Sequence, residues 1–309
     1  MRYLIIFIFL LFSLKSYGIT KVYNLIDKKL TIHTTNPLTK DQKNKIEDIL
    51  DNITAVLDVT DSDSFVSRFN NLEKNSEVSA PDVFVDAYKV LNDYNKITKG
   101  KFDPTAFTLL SKSQKVKKLN YYLKSGVHSR CTSLKNIKIK INNVFSKKEK
   151  CTKISFNSLI YGKVVDEIQI FFDSEKINAY AIIFNNVVAK KNFSLSEIRT
   201  LKLSDYIKDK VNFDLINNFG IYELSDNLYI HNINMKDENL ILNDEIIILV
   251  STSSNSNNNI LANTLNLMDF DKIKNLNNSE VKIPIFILYK IGDMYNFSYT
   301  DNFKRFLSD

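Results

Sequence analysis

Glycine and proline are scarce in this chain: six and four among 309 residues. That shortage excludes a fold built on many glycine turns, or a glycine-rich loop wrapped around a phosphate. Three histidines cannot furnish a multi-site zinc protein, and two cysteines cannot staple a disulfide-dense miniprotein. Neither sign of charge dominates: 42 Lys and Arg stand against 35 Asp and Glu, a net of +7. That balance is mildly basic and selects no partner by itself. What remains is ordinary globular material, 44% hydrophobic and 25% charged. It is enough for one large domain or two small ones, and it excludes a disordered or collagenous chain.

The N-terminus carries the one long apolar run. Met1-Arg2-Tyr3 leads into Leu4–Leu14, and Ser16-x-Gly18 follows with small residues at cleavage spacing. This predicts a secretory signal over residues 1–18, cut after Gly18. An uncleaved membrane anchor is the alternative, although the run is short of the roughly 20 residues a spanning helix needs. No cysteine follows it, so it is not a lipoprotein signal. The expected location is the periplasm or the periplasmic face of the inner membrane. An oxidising compartment permits a bridge between Cys131 and Cys151 at the two ends of a hairpin; two separate buried thiols are the other possibility.

Along the mature chain, Leu30–Thr34 alternates as a strand. Lys40–Val56 places Ile46, Ile49, Leu50 and Ile53 at helical spacing, after Pro37 and Thr39. Pro81–Thr98 predicts a second helix, with Pro in its first turn and Gly100 past its end. Leu159–Ser174 predicts a third. Ile137, Ile139 and Ile141 alternate with lysines as a strand within Leu134–Phe145. Ala179–Phe184 and Glu245–Ser251 are strand-length apolar runs. Thr252–Asn259 is polar and of low complexity, a loop before a helix expected over Leu261–Met268. Ile283–Tyr289 and Tyr295–Tyr299 predict a closing hairpin. Helices and strands mix without a βαβ repeat, so the expected class is α+β, one domain over residues 19–309. Residues 112–153 hold thirteen Lys and Arg and a single acid, Glu149, a net of +12. That segment is expected to be a solvated basic insertion, with contact to an anionic membrane surface or partner as the alternative.

Several short motifs occur in order. Lys99-Gly100-Lys101-Phe102-Asp103-Pro104-Thr105 follows the second helix. Upstream lies Asp63-Ser64-Phe65-Val66-Ser67-Arg68-Phe69-Asn70. Downstream come Ser155–Asp166 (Ser-Phe-Asn-Ser-Leu-Ile-Tyr-Gly-Lys-Val-Val-Asp), Ile183–Val187, Asn218–Tyr222, Tyr229–Asn234 around His231, and Asn259–Thr264. The set resembles the ApbE-type FAD:protein FMN transferases, whose pattern includes Gly-x-Phe-Asp-Pro-Thr, Asp-Leu-Gly-Gly-Ile-x-Lys-Gly-Tyr-x-x-Asp, Tyr-x-His-Ile-Ile-Asp and Ala-Asp-Ala-x-x-Thr. The resemblance covers roughly residues 45–270.

The resemblance implies antiparallel sheets packed with helices, in the flavin-transferase architecture, with FAD in the cleft between them. It implies Mg²⁺-dependent transfer of FMN from FAD to a Thr or Ser hydroxyl of an exported protein, typically a membrane electron-transfer subunit. Carried over residue by residue, it makes His231 and Asp166 catalytic candidates. Lys101, Phe102, Asp103, Ser155, Tyr161 and Gly162 become flavin-binding candidates, and Ser158, Asn263 and Thr264 metal ligands. The departures are specific. Ser155 and Tyr161 replace an Asp and a Lys of the pattern, Asn234 replaces the Asp after the histidine, and Ile260 falls on the Asp of the magnesium helix. A hard dication draws most of its binding from carboxylates, so these changes predict a weakened metal site. A catalytically degenerate homologue that binds flavin or a partner is the alternative.

Overall fold

The computed structural model describes residues 19–26, 28–97, 100, 102–105, 130–193, 210–224, 246–265, 283–291 and 294–308. The Leu4–Leu14 run, Lys101 and His231 lie outside them. The elements are β1 (Ile19–Leu25), β2 (Lys28–Thr34), α1 (Lys40–Leu57), α2 (Phe65–Asn71), β3 (Glu77–Ser79), α3 (Asp82–Ile97), β4 (Ile137–Lys140), β5 (Val144–Lys147), α4 (Ile160–Ser174), β6 (Tyr180–Phe184), β7 (Val187–Lys191), β8 (Asn218–Leu224), β9 (Ile246–Val250), α5 (Asn255–Leu265), β10 (Ile285–Ile291) and β11 (Met294–Tyr299). Local chemistry sets the helix starts. The Thr39 hydroxyl accepts from Gln42 N at 3.2 Å, and the Gln42 side chain accepts from Thr39 N at 3.0 Å, a reciprocal cap that opens α1. Ser64 does the same work for α2, accepting from Ser67 N at 3.2 Å.

The class is α+β. One eight-stranded sheet runs β1-β2-β6-β7-β8-β9-β10-β11, and every pairing in it is antiparallel. Strand alternation sorts its two faces. On β6, Tyr180, Ile182 and Phe184 join Leu30, Ile32 and the buried faces of α1 to α4 in the largest core. Ala181 and Ile183 face the other way, into a second core with Phe219, Leu249, Phe286 and Phe303. A third cluster packs Leu261, Ala262 and Leu265 of α5 on Ile248, Val250, Ile285 and Ile287. β6 and β9, covered on both faces, are apolar throughout, as expected.

A three-stranded sheet, β3-β5-β4, packs on α2 and α3. Its Phe145 meets the rings of Phe69, Phe84 and Tyr88 at centroid distances of 6.4, 5.2 and 5.3 Å. Phe84 in turn sits edge-on to Phe156 at 5.1 Å. This aromatic cluster fixes the segment that runs from Ile154 into α4.

Cys131 and Cys151 form a disulfide across the base of the β4–β5 hairpin, with Cα atoms 5.3 Å apart. The isoleucine alternation is shorter than the spacing predicts. β4 stops at Lys140, and the chain turns at Asn142 and Asn143, which take φ of 60° and 57°. Ile139 and Ile141 are consequently 50% and 87% exposed while Ile137 is buried. The described half of the basic segment is part of the fold rather than a solvated appendage: Phe145 and Lys147 are fully buried. The C-terminal helix also departs from expectation. α5 starts at Asn255, six residues before Leu261, inside the stretch expected to be a loop. Among the described residues no helix is long and apolar enough to cross a membrane.

Candidate functional site

Three segments distant in sequence meet at one corner of the largest core. The first is the turn Phe102–Thr105. Asp103 closes it: one carboxylate oxygen accepts from Thr105 N at 2.8 Å and from the Thr105 hydroxyl at 2.6 Å. The second is the extended run Ile154–Leu159. Ser155 N donates to Pro104 O at 3.2 Å, which stitches the two together. Asn70 of α2 clamps the same run from behind: its amide donates to Ile154 O at 2.9 Å and accepts from Ile154 N at 2.8 Å. Phe102, Ser155 and Ser158 are all buried here.

The third segment is the start of α5, held against α4 by Gly162 and Asp166. A Cβ on Gly162 would lie 2.2 Å from Asn255 O and 2.6 Å from Ser256 Cα, so only glycine permits this approach. One turn on, Asp166 faces the first amides of α5. Its Oδ1 accepts from Asn255 N at 2.7 Å and Asn255 Nδ2 at 3.0 Å. Its Oδ2 accepts from Ser256 N at 2.9 Å, Ser256 Oγ at 2.6 Å and Ser254 Oγ at 3.0 Å. A carboxylate at the helix N-terminus satisfies orphan donors and complements the dipole. Ser254 adds the local cap, accepting from Asn257 N at 3.3 Å. Gly220 of β8 grips the helix from its other side, where an added Cβ would meet Asn258 O at 2.6 Å.

The electrostatics follow from burial. Burial first, and then the neighbouring Asp103 carboxylate, push the Tyr88 hydroxyl up to about 12. Tyr161, a flavin-binding candidate, sits edge-on to Phe184 at 4.9 Å and joins the core margin. Asn255 and Asn258 are fully buried, and each leaves one polar atom unpartnered: Oδ1 of Asn255 and Nδ2 of Asn258. Both amide orientations are fixed. Asn255 Nδ2 donates to Asp166 and to Gln169 Oε1, and Asn258 Oδ1 accepts from Thr252 N at 2.7 Å. The orphaned donor on Asn258 suits a ligand acceptor and repels a cation.

Among the described residues, no three His, Cys, Asp or Glu lie close enough to hold a metal. Asp166 already accepts five bonds from protein donors, and neutral amide oxygens such as the orphaned Asn255 Oδ1 are far short of the charged, near-octahedral oxygen set magnesium takes. Among the described residues, no side-chain set fits a resident Mg²⁺ ion. Ile260, expected at the acidic position of the metal helix, is buried in the largest core among apolar side chains. Asn263 and Thr264 lie in the last turns of α5. At 1.5 Å per residue, Thr264 is about 13 Å along the helix from Asn255, away from the end that Asp166 and Gly162 hold. The structure thus brings together Phe102, Asp103, Ser155, Ser158, Tyr161, Gly162 and Asp166.

A model of the ApbE family matches residues 22–192, more than half of the chain and all three of the Asn70, Asp103 and Ser155–Asp166 segments. The chain belongs to the ApbE family. Solved structures share its architecture along nearly all of their length. The flavin transferase ApbE from Vibrio cholerae is 16% identical, with a TM-score of 0.72 over 94% of this chain and 99% of that one. The flavinyl transferase ApbE of Pseudomonas stutzeri in its apo form is 15% identical, with a TM-score of 0.69 over 94% and 98%. The ApbE protein of Thermotoga maritima is 13% identical, with a TM-score of 0.67 over 94% and 100%. At such identities they establish the fold. No curated protein matches the chain by sequence. The family supports flavin transfer as the general activity.

Sequence reasoning missed the start of α5. Asn and Ser are poor helix-interior residues, so Asn255–Asn259 looks like a loop; the legible signal was Ser254 as a cap, three residues ahead of Asn257.

Proposed function

We propose that this protein transfers FMN from FAD to a Thr or Ser hydroxyl of an exported protein, with a membrane electron-transfer subunit as the acceptor. The work is assigned to the periplasm or the periplasmic face of the inner membrane. The observation that carries the reading is the convergence of the Phe102–Thr105 turn, Ser155–Asp166 and the α5 N-terminus. In the step, the acceptor oxygen forms a bond to the FMN phosphorus, and the bond from that phosphorus to the bridging oxygen breaks. AMP leaves with the bridging oxygen. The hydroxyl proton is assigned to His231, from its place in the motif. No step is routed through magnesium; the ion enters as a condition of the assay.

A second reading, a flavin-binding or partner-binding homologue without transfer, is favoured by one observation: both Asp166 oxygens are engaged by α5 and no metal-ligating cluster lies among the described residues. Incubation with FAD and a Thr-containing acceptor, with and without Mg²⁺, decides by mass spectrometry. An FMN adduct on the acceptor supports transfer. FAD binding without any adduct supports the second reading, and absence of both overturns the two together. For location, N-terminal sequencing of envelope material is expected to begin at Ile19; full-length protein in the cytosol would refute export.

A further inference from the structure

β5 ends on a lysine that is buried completely. The Lys147 ammonium donates to two backbone carbonyls, Asn70 O at 2.8 Å and Lys150 O at 3.2 Å, and lies 5.8 Å from the centroid of the Phe69 ring. Its contacts hold no carboxylate; Glu73, the acid that acts on it, pairs with Lys150 instead. This arrangement is costly. Burial first, then Lys153, hold the ammonium down to about 8, with Glu73 opposing and Lys150 adding to the shift. A methionine would fill about the same space without that penalty. Filling space therefore does not account for a lysine here, whereas the two carbonyls do.

Those carbonyls belong to the two arms of one clamp. Asn70 O lies in the last turn of α2, where helix carbonyls lack donors of their own. Lys150 O lies on the chain that leads through Cys151 to Ile154. The Asn70 side chain then joins the two arms, donating to Ile154 O at 2.9 Å and accepting from Ile154 N at 2.8 Å. One residue on, Ser155 N reaches Pro104 O, beside Asp103. We propose that Lys147 is a positioning residue for the flavin corner: its ammonium braces Asn70 and the 150–154 run, and so holds Ser155 against the Phe102–Thr105 turn. It acts through Asn70 and Ile154 rather than by touching the ligand. The effect on flavin rests on FAD occupying that corner; the brace itself does not.

Amide hydrogen exchange and calorimetry with FAD test the two parts separately. In Lys147→Met, the Ile154 and Ser155 amides are expected to exchange about tenfold faster relative to the β6 amides, which lie between β2 and β7. Lys147→Gln, one atom shorter and uncharged, is expected to move them in the same direction and serves if the methionine variant does not fold. Lys147→Arg keeps the charge and the donors, and is expected to restore exchange and FAD affinity to within about twofold of wild type. FAD affinity should fall about fivefold in Lys147→Met and about tenfold in Asn70→Ala, and the double variant should be no weaker than Asn70→Ala alone, because both act through one clamp. Exchange unchanged at Ile154 and Ser155, acceleration equal to that of β6, an arginine variant as defective as the methionine one, or FAD losses that multiply to about fiftyfold overturns the proposal. A wild-type protein that binds no FAD removes the flavin reading, and the exchange results then decide the brace by themselves.

Discussion

At Gly162 two residue-level effects compete, and their sizes decide. Alanine in a helix interior is favoured over glycine by about 1 kcal/mol. Here, however, the new methyl would fall 2.2 Å from the carbonyl oxygen of Asn255, a backbone atom that cannot swing aside. Gly162→Ala is therefore expected to destabilise by about 3 kcal/mol, measured by urea unfolding, as α5 is pushed off α4. An unchanged or raised midpoint would show that α5 docks elsewhere. Lys147 makes a second residue-scale prediction. Its folded value near 8 lies below the ordinary 10.5, so between these pH values the unfolded chain holds more protons than the folded one. Stability from this residue therefore rises with pH across that window, as the burial penalty fades. In Lys147→Met the rise should disappear, a difference on the order of 3 kcal/mol between wild type and variant from pH 7.5 to 10.5. Parallel stability curves would remove Lys147 as its source.

At the scale of the element, α5 is where sequence and structure parted most. Its inner face reads Ile260, Leu261, Ala262 and Leu265, all buried. Ile260→Asp would place a carboxylate in that apolar contact with no cation facing it, so it is expected to unfold the protein by about 4 kcal/mol rather than create a metal ligand. A stable variant with stronger Mg²⁺ binding by calorimetry would restore the motif-based placement of the helix. The other elements were largely legible. Helical spacing located α1, α3 and α4 because each has a single apolar stripe against a polar back. Apolar runs located β6 and β9 because the sheet is covered on both faces. The Asp103 turn and the Ser155–Asp166 segment were legible as motifs. What could not be read was pairing across distance: nothing local in Asn255 or Ser256 announces that Asp166 supplies their hydrogen bonds, and nothing in Gly220 announces the helix that lies on it.

The whole molecule is a set of such long-range closures around one continuous sheet. Flavin bound among Phe102–Thr105, Ser155–Asp166 and the start of α5 would tie together elements from most of the chain, so it should stabilise the global fold. FAD at one hundred times its dissociation constant is expected to add about 2.7 kcal/mol, seen as a rise in melting temperature. No rise at saturating FAD would mean that flavin does not occupy the assembled corner. The Asp166 cap carries a further consequence, one of timing. Asp166 and the amides it holds are separated by 89 and 90 residues, and α5 rests on β8 and β9, which come late in the chain. A polypeptide made N-terminus first displays α4, with its glycine and its carboxylate, long before the helix that completes them exists. Until synthesis has passed residue 265 there is no finished corner for a nucleotide to enter, so any ligand of this corner can bind only after most of the chain has been made.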